Sequence, residues 1–224
     1  MGTNGVKAVI FDMDGVIVDS EPCHERAFLD TAAELGYGET HGLRSADYIG
    51  RADDDLWRDF IKRHQPPQTL AELLALKVAR VAELIRHQQP LFDGVCELVE
   101  KMAAHFPLAL ASGSERLIVD EVLKLRGLGR HFAVTVSATD IPRGRGKPEP
   151  DIFLEAAKRL GVAPAACCVI EDSKPGIAAA LAAGMSVIAI TNTHPEAELG
   201  RATRIVQTYA EIERILVSTQ GDGA

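Results

Sequence analysis

The sequence predicts an α/β protein: a doubly wound, Rossmann-like parallel sheet carrying an inserted all-helical domain. Short apolar runs recur at residues 8–11, 108–111, 133–137, 167–170, 186–190 and 204–206, each of strand length. Runs apolar almost throughout belong to strands buried on both faces, as in a parallel sheet, where a half-exposed strand would alternate. Amphipathic helical patterns at residues 95–104, 115–125, 151–160 and 174–183 separate these runs, so strand and helix alternate from about residue 90 onward. Gly161 and Gly184 stand just after two of the helices, where a left-handed residue is wanted to end them.

The interval between the first two runs breaks this rhythm. It contains no convincing strand but three helical patterns, at residues 21–35, 56–63 and 70–87. A single βαβ crossover needs far less chain. The expected division is an α/β core of residues 1–19 and 90–224 and a helical cap of residues 20–89, inserted at the carboxyl end of the first strand. In open α/β sheets that end is where ligands bind, so the cap is expected to act as a lid.

A hydrophobic fraction of 46% over 224 residues supplies a core without disulfides or structural metal. The net charge of −8 argues against a nucleic-acid surface, which needs clustered Lys and Arg, but leaves room for a small phosphorylated ligand at a local positive site. Cys23, Cys96, Cys167 and Cys168 show no Cys-x-x-Cys spacing and read as reduced thiols. The apolar stretch near the N-terminus is too short for a signal peptide or a membrane span, so a cytoplasmic protein without a membrane partner is expected, a monomer by default.

Chemistry-bearing residues gather at the ends of the strands. Asp12 and Asp14 follow the first run in AVIFDMDG, two carboxylates alternating around one residue. At about 4 Å and an effective dielectric near 20 such a pair repels by about 4 kcal/mol, which a cation would relieve. Ser112 follows the second run in ASGS. Lys147 lies in GRGKPEPDIF after the third, and Glu171 and Asp172 end the fourth before Ser173 and Lys174 open a helix. Taken singly, Ser114 is the better placed helix cap, Lys147 a loop charge, and Glu171 with Asp172 first-turn acids. Together they meet at the carboxyl edge of one sheet.

The segments FDMDGVIVDSEP, ASGS, GKPEPDIF and VIEDSKPGI resemble those of the haloacid dehalogenase-like hydrolase superfamily, in particular the branch of β-phosphoglucomutase and small sugar-phosphate phosphatases. The resemblance covers nearly the whole chain. It implies Asp12 as nucleophile, forming an aspartyl-phosphate, and Asp14 as general acid and then base. Ser112 and the backbone N–H groups of Met13 and Gly113 would hold phosphoryl oxygens, and Lys147 would neutralise charge. Asp12, Asp172, the backbone carbonyl of Asp14, and Glu171 directly or through water, would hold Mg²⁺, which suits an all-oxygen set. Haloalkanoate dehalogenases need no acid at the place of Asp14, so dehalogenation is not expected.

The same resemblance matches His24, twelve residues after Asp12, and Lys77 to cap residues that position the acid/base aspartate, and Arg51 to a substrate-phosphate contact. Ser114 and Arg116 fall where the mutase-like pattern meets the distal phosphate, but Glu115 and Arg116 replace its small and amide-bearing residues. This departure favours a phosphatase of a sugar or polyol phosphate over a β-phosphoglucomutase-like phosphomutase. A phosphonate hydrolase and a non-catalytic phosphate- or metal-binding module are remoter alternatives.

Overall fold

A computed structural model describes residues 5–48 and 53–218. Among these, six strands form one parallel sheet: β1 (Ala8–Phe11), β2 (Leu108–Ala111), β3 (Val134–Val136), β4 (Cys167–Glu171), β5 (Ser186–Ile190) and β6 (Arg204–Val206), in the order β3-β2-β1-β4-β5-β6. This is the doubly wound order, with its switch point between β1 and β4. β1, β2, β4 and β5 are buried along their whole length, as the unalternating runs require. Successive side chains still part to opposite faces. Ala8, Ile10, Ala109, Ala111, Cys167, Val169, Val187 and Ala189 share one apolar cluster with Ile152, Phe153 and Ile177.

The chain divides into two compact units, Met1–Asp19 with Pro90–Ala224, and Ser20–Gln89. The first holds the sheet with α4 (Val95–His105), α5 (Arg116–Lys124), α6 (Asp151–Leu160), α7 (Lys174–Ala182) and α8 (Tyr209–Ser218). Gly161 ends α6 in the left-handed conformation, with φ of +70°. The expected serine cap of α5 is not found: its N-cap is Glu115 with no side-chain hydrogen bond, because the Ser114 hydroxyl is engaged elsewhere.

The second unit is helical, with α1 (Glu21–Glu34), α2 (Asp53–His64) and α3 (Leu70–Gln88). Thr69 and Glu72 form a capping box that starts α3. Phe28, Ala32, Trp57, Phe60 and Leu73 make a core of its own, with Phe28 edge-on to Trp57 and Phe60. All four cysteines are free. No helix among the described residues is long and apolar enough to cross a membrane.

Candidate active site

Asp12 N donates to Ile170 O at 3.0 Å, continuing the β1–β4 pairing one step past β1. Asp12 and the pair Glu171–Asp172 therefore leave adjacent strands side by side at the switch point. All three are buried, and one carboxylate oxygen from each lies within 4.8 Å of the others.

Lys147, on the loop between β3 and α6, places Nζ 2.7 Å from Asp12 Oδ1 and 2.6 Å from Glu171 Oε1, with the Phe153 ring centroid at 5.0 Å. Glu171 Oε2 accepts from the backbone N of Asp172 and Ser173 at 2.7 and 2.6 Å and from Ser173 Oγ at 2.9 Å. The Ser173 hydroxyl in turn accepts from Gly176 N and caps α7. Across the cluster, Asp14 Oδ2 accepts from both Ser112 Oγ at 3.0 Å and Ser114 Oγ at 2.9 Å.

Electrostatics sort these acids. Burial opposes ionisation of Glu171, but Lys147 and the donors of Ser173 outweigh it and hold its pKa below the ordinary range. Burial likewise opposes the charge on Lys147, and Asp12 and Glu171 overcome it, raising its pKa. Asp12 goes the other way: burial raises its pKa well above the usual value, Lys147 opposes this, and the neighbouring acids add to it. Asp172 is pushed up to about 7, by burial first and then by Glu171.

One half-buried ammonium thus faces more carboxylate than it neutralises. Asp12 Oδ1 is buried and, apart from its ion pair with Lys147 Nζ at 2.7 Å, has no hydrogen-bond donor. A hard divalent cation fits both facts, since it supplies positive charge and binds oxygens that lack donors.

The family model for haloacid dehalogenase-like hydrolases matches residues 6–184. This chain belongs to that family. Among its relatives, hexitol phosphatase B of Escherichia coli (strain K12) is 34% identical over 197 residues, 86% of each chain. Fructose-1-phosphate phosphatase YqaB of the same strain is 33% identical over 184 residues, 80% of this chain and 94% of its own. A solved structure of mutant CbbY from Rhodobacter sphaeroides in complex with xylulose-(1,5)bisphosphate aligns with a TM-score of 0.77 at 26% identity, covering 92% of this chain and 96% of that one. The hydrolase is a phosphoryl-transfer enzyme.

Of the residues singled out in the sequence of this hydrolase, the core unit brings together Asp12, Asp14, Ser112, Ser114, Lys147, Glu171 and Asp172. Met13 has a buried side chain, and its carbonyl accepts from the N–H groups of Val16, Ile17 and Val18, closing the turn after the motif. Gly113 is exposed, directly after the buried Ser112. Arg116 is not brought to the cluster: its guanidinium donates to Thr135 Oγ1 at 3.1 Å and pairs with Asp140. His24 is half-buried on α1 and Lys77 is buried on α3, both in the helical unit. Arg51 lies outside the described residues.

The sequence reading missed the loop after β5. Thr193 Oγ1 donates to Asp172 Oδ2, and His194 Nδ1 lies 3.8 Å from the same oxygen. Asn192 and Tyr209 contact the turn after Asp14. Asn192, Thr193 and His194 stand past the end of the buried β5, the signal that drew notice to Asp12 and Ser112, whereas Tyr209 opens α8 and carried no such signal.

Two glycines make room for the acids of the hydrolase. Gly15 has φ of +77°, and a Cβ there would overlap the Asp172 carboxylate; a Cβ at Gly176 would overlap that of Glu171. Gly176 has no positive φ, so its substitution tests the close approach alone. Gly176→Ala is expected to lower stability by about 1–3 kcal/mol, because three donors and Lys147 prevent Glu171 from moving aside. Denaturant unfolding at neutral pH measures this, and a variant as stable as the parent would contradict the packing.

The raised acids also set a pH dependence. A carboxyl whose folded pKa lies above its ordinary value gives stability that is complete below the ordinary value and is lost as pH rises through the folded one. Asp172, moving from 3.8 to about 7, gives this sign, and Asp12 shares its direction. The lowered pKa of Glu171 has the opposite sign, but its contribution is already constant above about pH 5. With chelator present, stability is expected to fall by a few kcal/mol from pH 5 to 8. Millimolar Mg²⁺ is expected to restore it, more at pH 8 than at pH 5. Thermal unfolding across the pH range, with and without the ion, is the check.

Proposed function

We propose that this hydrolase is a Mg²⁺-dependent phosphatase of a small sugar or polyol phosphate, acting through an aspartyl-phosphate on Asp12. The observation that carries the reading is the buried Asp12 carboxylate set between Lys147 and Asp172, with Asp14 two residues on and held by two serine hydroxyls. The names of the hexitol and fructose-1-phosphate phosphatases support the substrate class.

Asp12 attacks phosphorus through a carboxylate oxygen, and the alcohol leaves as the P–O bond breaks. Asp14 gives its proton to the leaving oxygen, then takes one from the water that hydrolyses the acyl-phosphate. Lys147 offsets the charge on Asp12 and on the transferring group. Ser112 and the backbone N–H groups around Met13 and Gly113 hold phosphoryl oxygens. Asp12 and Asp172, with the Asp14 carbonyl and Glu171 in support, would hold Mg²⁺, which would supply positive charge to offset the negative charge on the phosphoryl oxygens. The helical unit Ser20–Gln89 enters the chain directly after the segment bearing Asp12 and Asp14, which suits a specificity cap carrying His24, Lys77 and Arg51.

Phosphomutase activity is the second reading, favoured by the burial of a lysine, Lys77, on the helical unit. Against it, the Arg116 guanidinium is already committed to Asp140 and Thr135. The test is a panel of sugar and polyol phosphates with Mg²⁺, scored for free phosphate, beside β-glucose 1-phosphate with a trace of its bisphosphate. Phosphate release from hexitol or ketose phosphates is expected. Conversion of β-glucose 1-phosphate to glucose 6-phosphate without free phosphate would establish the mutase instead.

A further inference from the structure

The turn that follows Asp14 is gripped from outside. Within it, Met13 O accepts three N–H groups, and Gly15 N donates to Val18 O at 2.9 Å, so these groups are satisfied locally. The Gly15 and Val16 carbonyls, both on buried residues, turn away from this set. Gly15 O accepts from Asn192 Nδ2 at 2.9 Å, and Val16 O accepts from the Tyr209 hydroxyl at 2.6 Å. The second hydrogen of Asn192 Nδ2 goes to Tyr209 Oη, also at 2.9 Å.

This chain fixes its own proton directions. A carbonyl only accepts, so the Asn192 amide must present its NH₂ to Gly15. Tyr209 then accepts from Asn192 and spends its single proton on Val16. Burial raises the Tyr209 pKa above that of an ordinary phenol, which keeps that proton in place. Asn192 follows β5 and Tyr209 opens α8, so both donors come from well beyond the turn in sequence.

The two gripped peptides, Gly15–Val16 and Val16–Ile17, come one and two units after the peptide that joins Asp14 to Gly15. The Asp14–Gly15 peptide is tied into the same turn, because Gly15 N donates to Val18 O, so holding the turn at Gly15 O and Val16 O also holds the backbone that presents the Asp14 carboxylate to Ser112 and Ser114. We propose that Asn192 and Tyr209 are positioning residues for Asp14, bracing the Gly15 and Val16 peptides so that its carboxyl is aimed at the leaving oxygen. The proposal rests on the reading of Asp14 as proton donor.

Its test exploits leaving-group basicity. Phenyl phosphate and p-nitrophenyl phosphate have nearly the same shape, but phenolate is much the more basic leaving group and depends on the acid where p-nitrophenolate hardly does. The ratio of kcat/KM for the two esters, with Mg²⁺ present, is measured for the parent, Tyr209→Phe, Asn192→Leu and Asp14→Asn, alongside thermal unfolding. A well-aimed acid contributes about 10²–10⁴-fold, so Tyr209→Phe and Asn192→Leu are expected to lose about tenfold or more on phenyl phosphate and under about threefold on p-nitrophenyl phosphate. Asp14→Asn should show the same selectivity more strongly.

Equal losses on both esters, or none, in Tyr209→Phe and Asn192→Leu while Asp14→Asn is selective would overturn the brace, leaving the pair a purely structural role. If Asp14→Asn itself lacks selectivity, the acid assignment fails and the brace fails with it. Tyr209→Phe removes one oxygen and keeps the ring, so it reports even if Asn192→Leu does not fold.

Discussion

Asp12→Asn is expected to lower phosphatase turnover by at least about 10³-fold while leaving the protein folded and, at pH 8, more stable than its parent. The loss follows because an amide has no anionic oxygen to attack phosphorus. The gain in stability follows from the electrostatics. Asp12 is buried with its pKa raised, so its ionisation at pH 8 costs the folded state free energy, and the neutral amide removes that cost. Lys147 keeps Glu171 as its partner. Turnover and thermal unfolding of the same preparation settle the matter. Retained turnover would remove Asp12 as nucleophile, and a large drop in stability would show that Asp12 is a structural ion pair first.

Lys147→Met should lower turnover as well, but with a loss of stability in place of a gain. The methionine keeps an apolar stem near Phe153 but withdraws the ammonium that pairs with Asp12 and Glu171. Breaking a buried ion pair from one side typically costs about 3–5 kcal/mol, and a loss in that range is expected at pH 8 without divalent ions. The loss should shrink toward pH 5, where the carboxylates can take up protons. Turnover should fall by about 10²–10³-fold, as when a charge-stabilising donor is withdrawn from a transition state. Urea unfolding at the two pH values and steady-state rates are the measurements. A pH-independent stability change would mean that Lys147 acts through packing and not through charge.

The sequence carried the fold because its signals were local. Runs such as residues 167–170 lacked alternation, and the structure buries β4 on both faces. The run at 133–137 was trimmed to β3, Val134–Val136, since end residues pair only where a neighbouring strand continues. The strand-edge rule also found Asp12, Ser112 and Asp172, because a residue just past a buried parallel strand must emerge at the sheet's carboxyl edge, whereas Lys147 reaches the site from well along the loop after β3.

It failed where a side chain had a choice of partner. Ser114 stood where a helix cap belongs, yet its hydroxyl donates to Asp14, a hundred residues away in the chain. Arg116 was grouped with the phosphate contacts, yet its guanidinium goes to Thr135 and Asp140. Asn192 and Thr193 stood past the buried β5 and Tyr209 at the start of α8, but nothing local showed that they would reach the turn after Asp14 or Asp172.

By itself, then, the order of residues determined the doubly wound sheet, the family and the acids that meet at its edge. Periodicity, and the emergence of strand ends on one side, are properties of short stretches of chain. Only the tertiary structure decided in which direction burial and charge push each carboxylate, which acids Lys147 pairs with and which distant side chains hold the turn after Asp14. Those outcomes depend on burial and on hydrogen-bond direction, which no short stretch fixes and which arise only when segments from opposite ends of the chain are packed together.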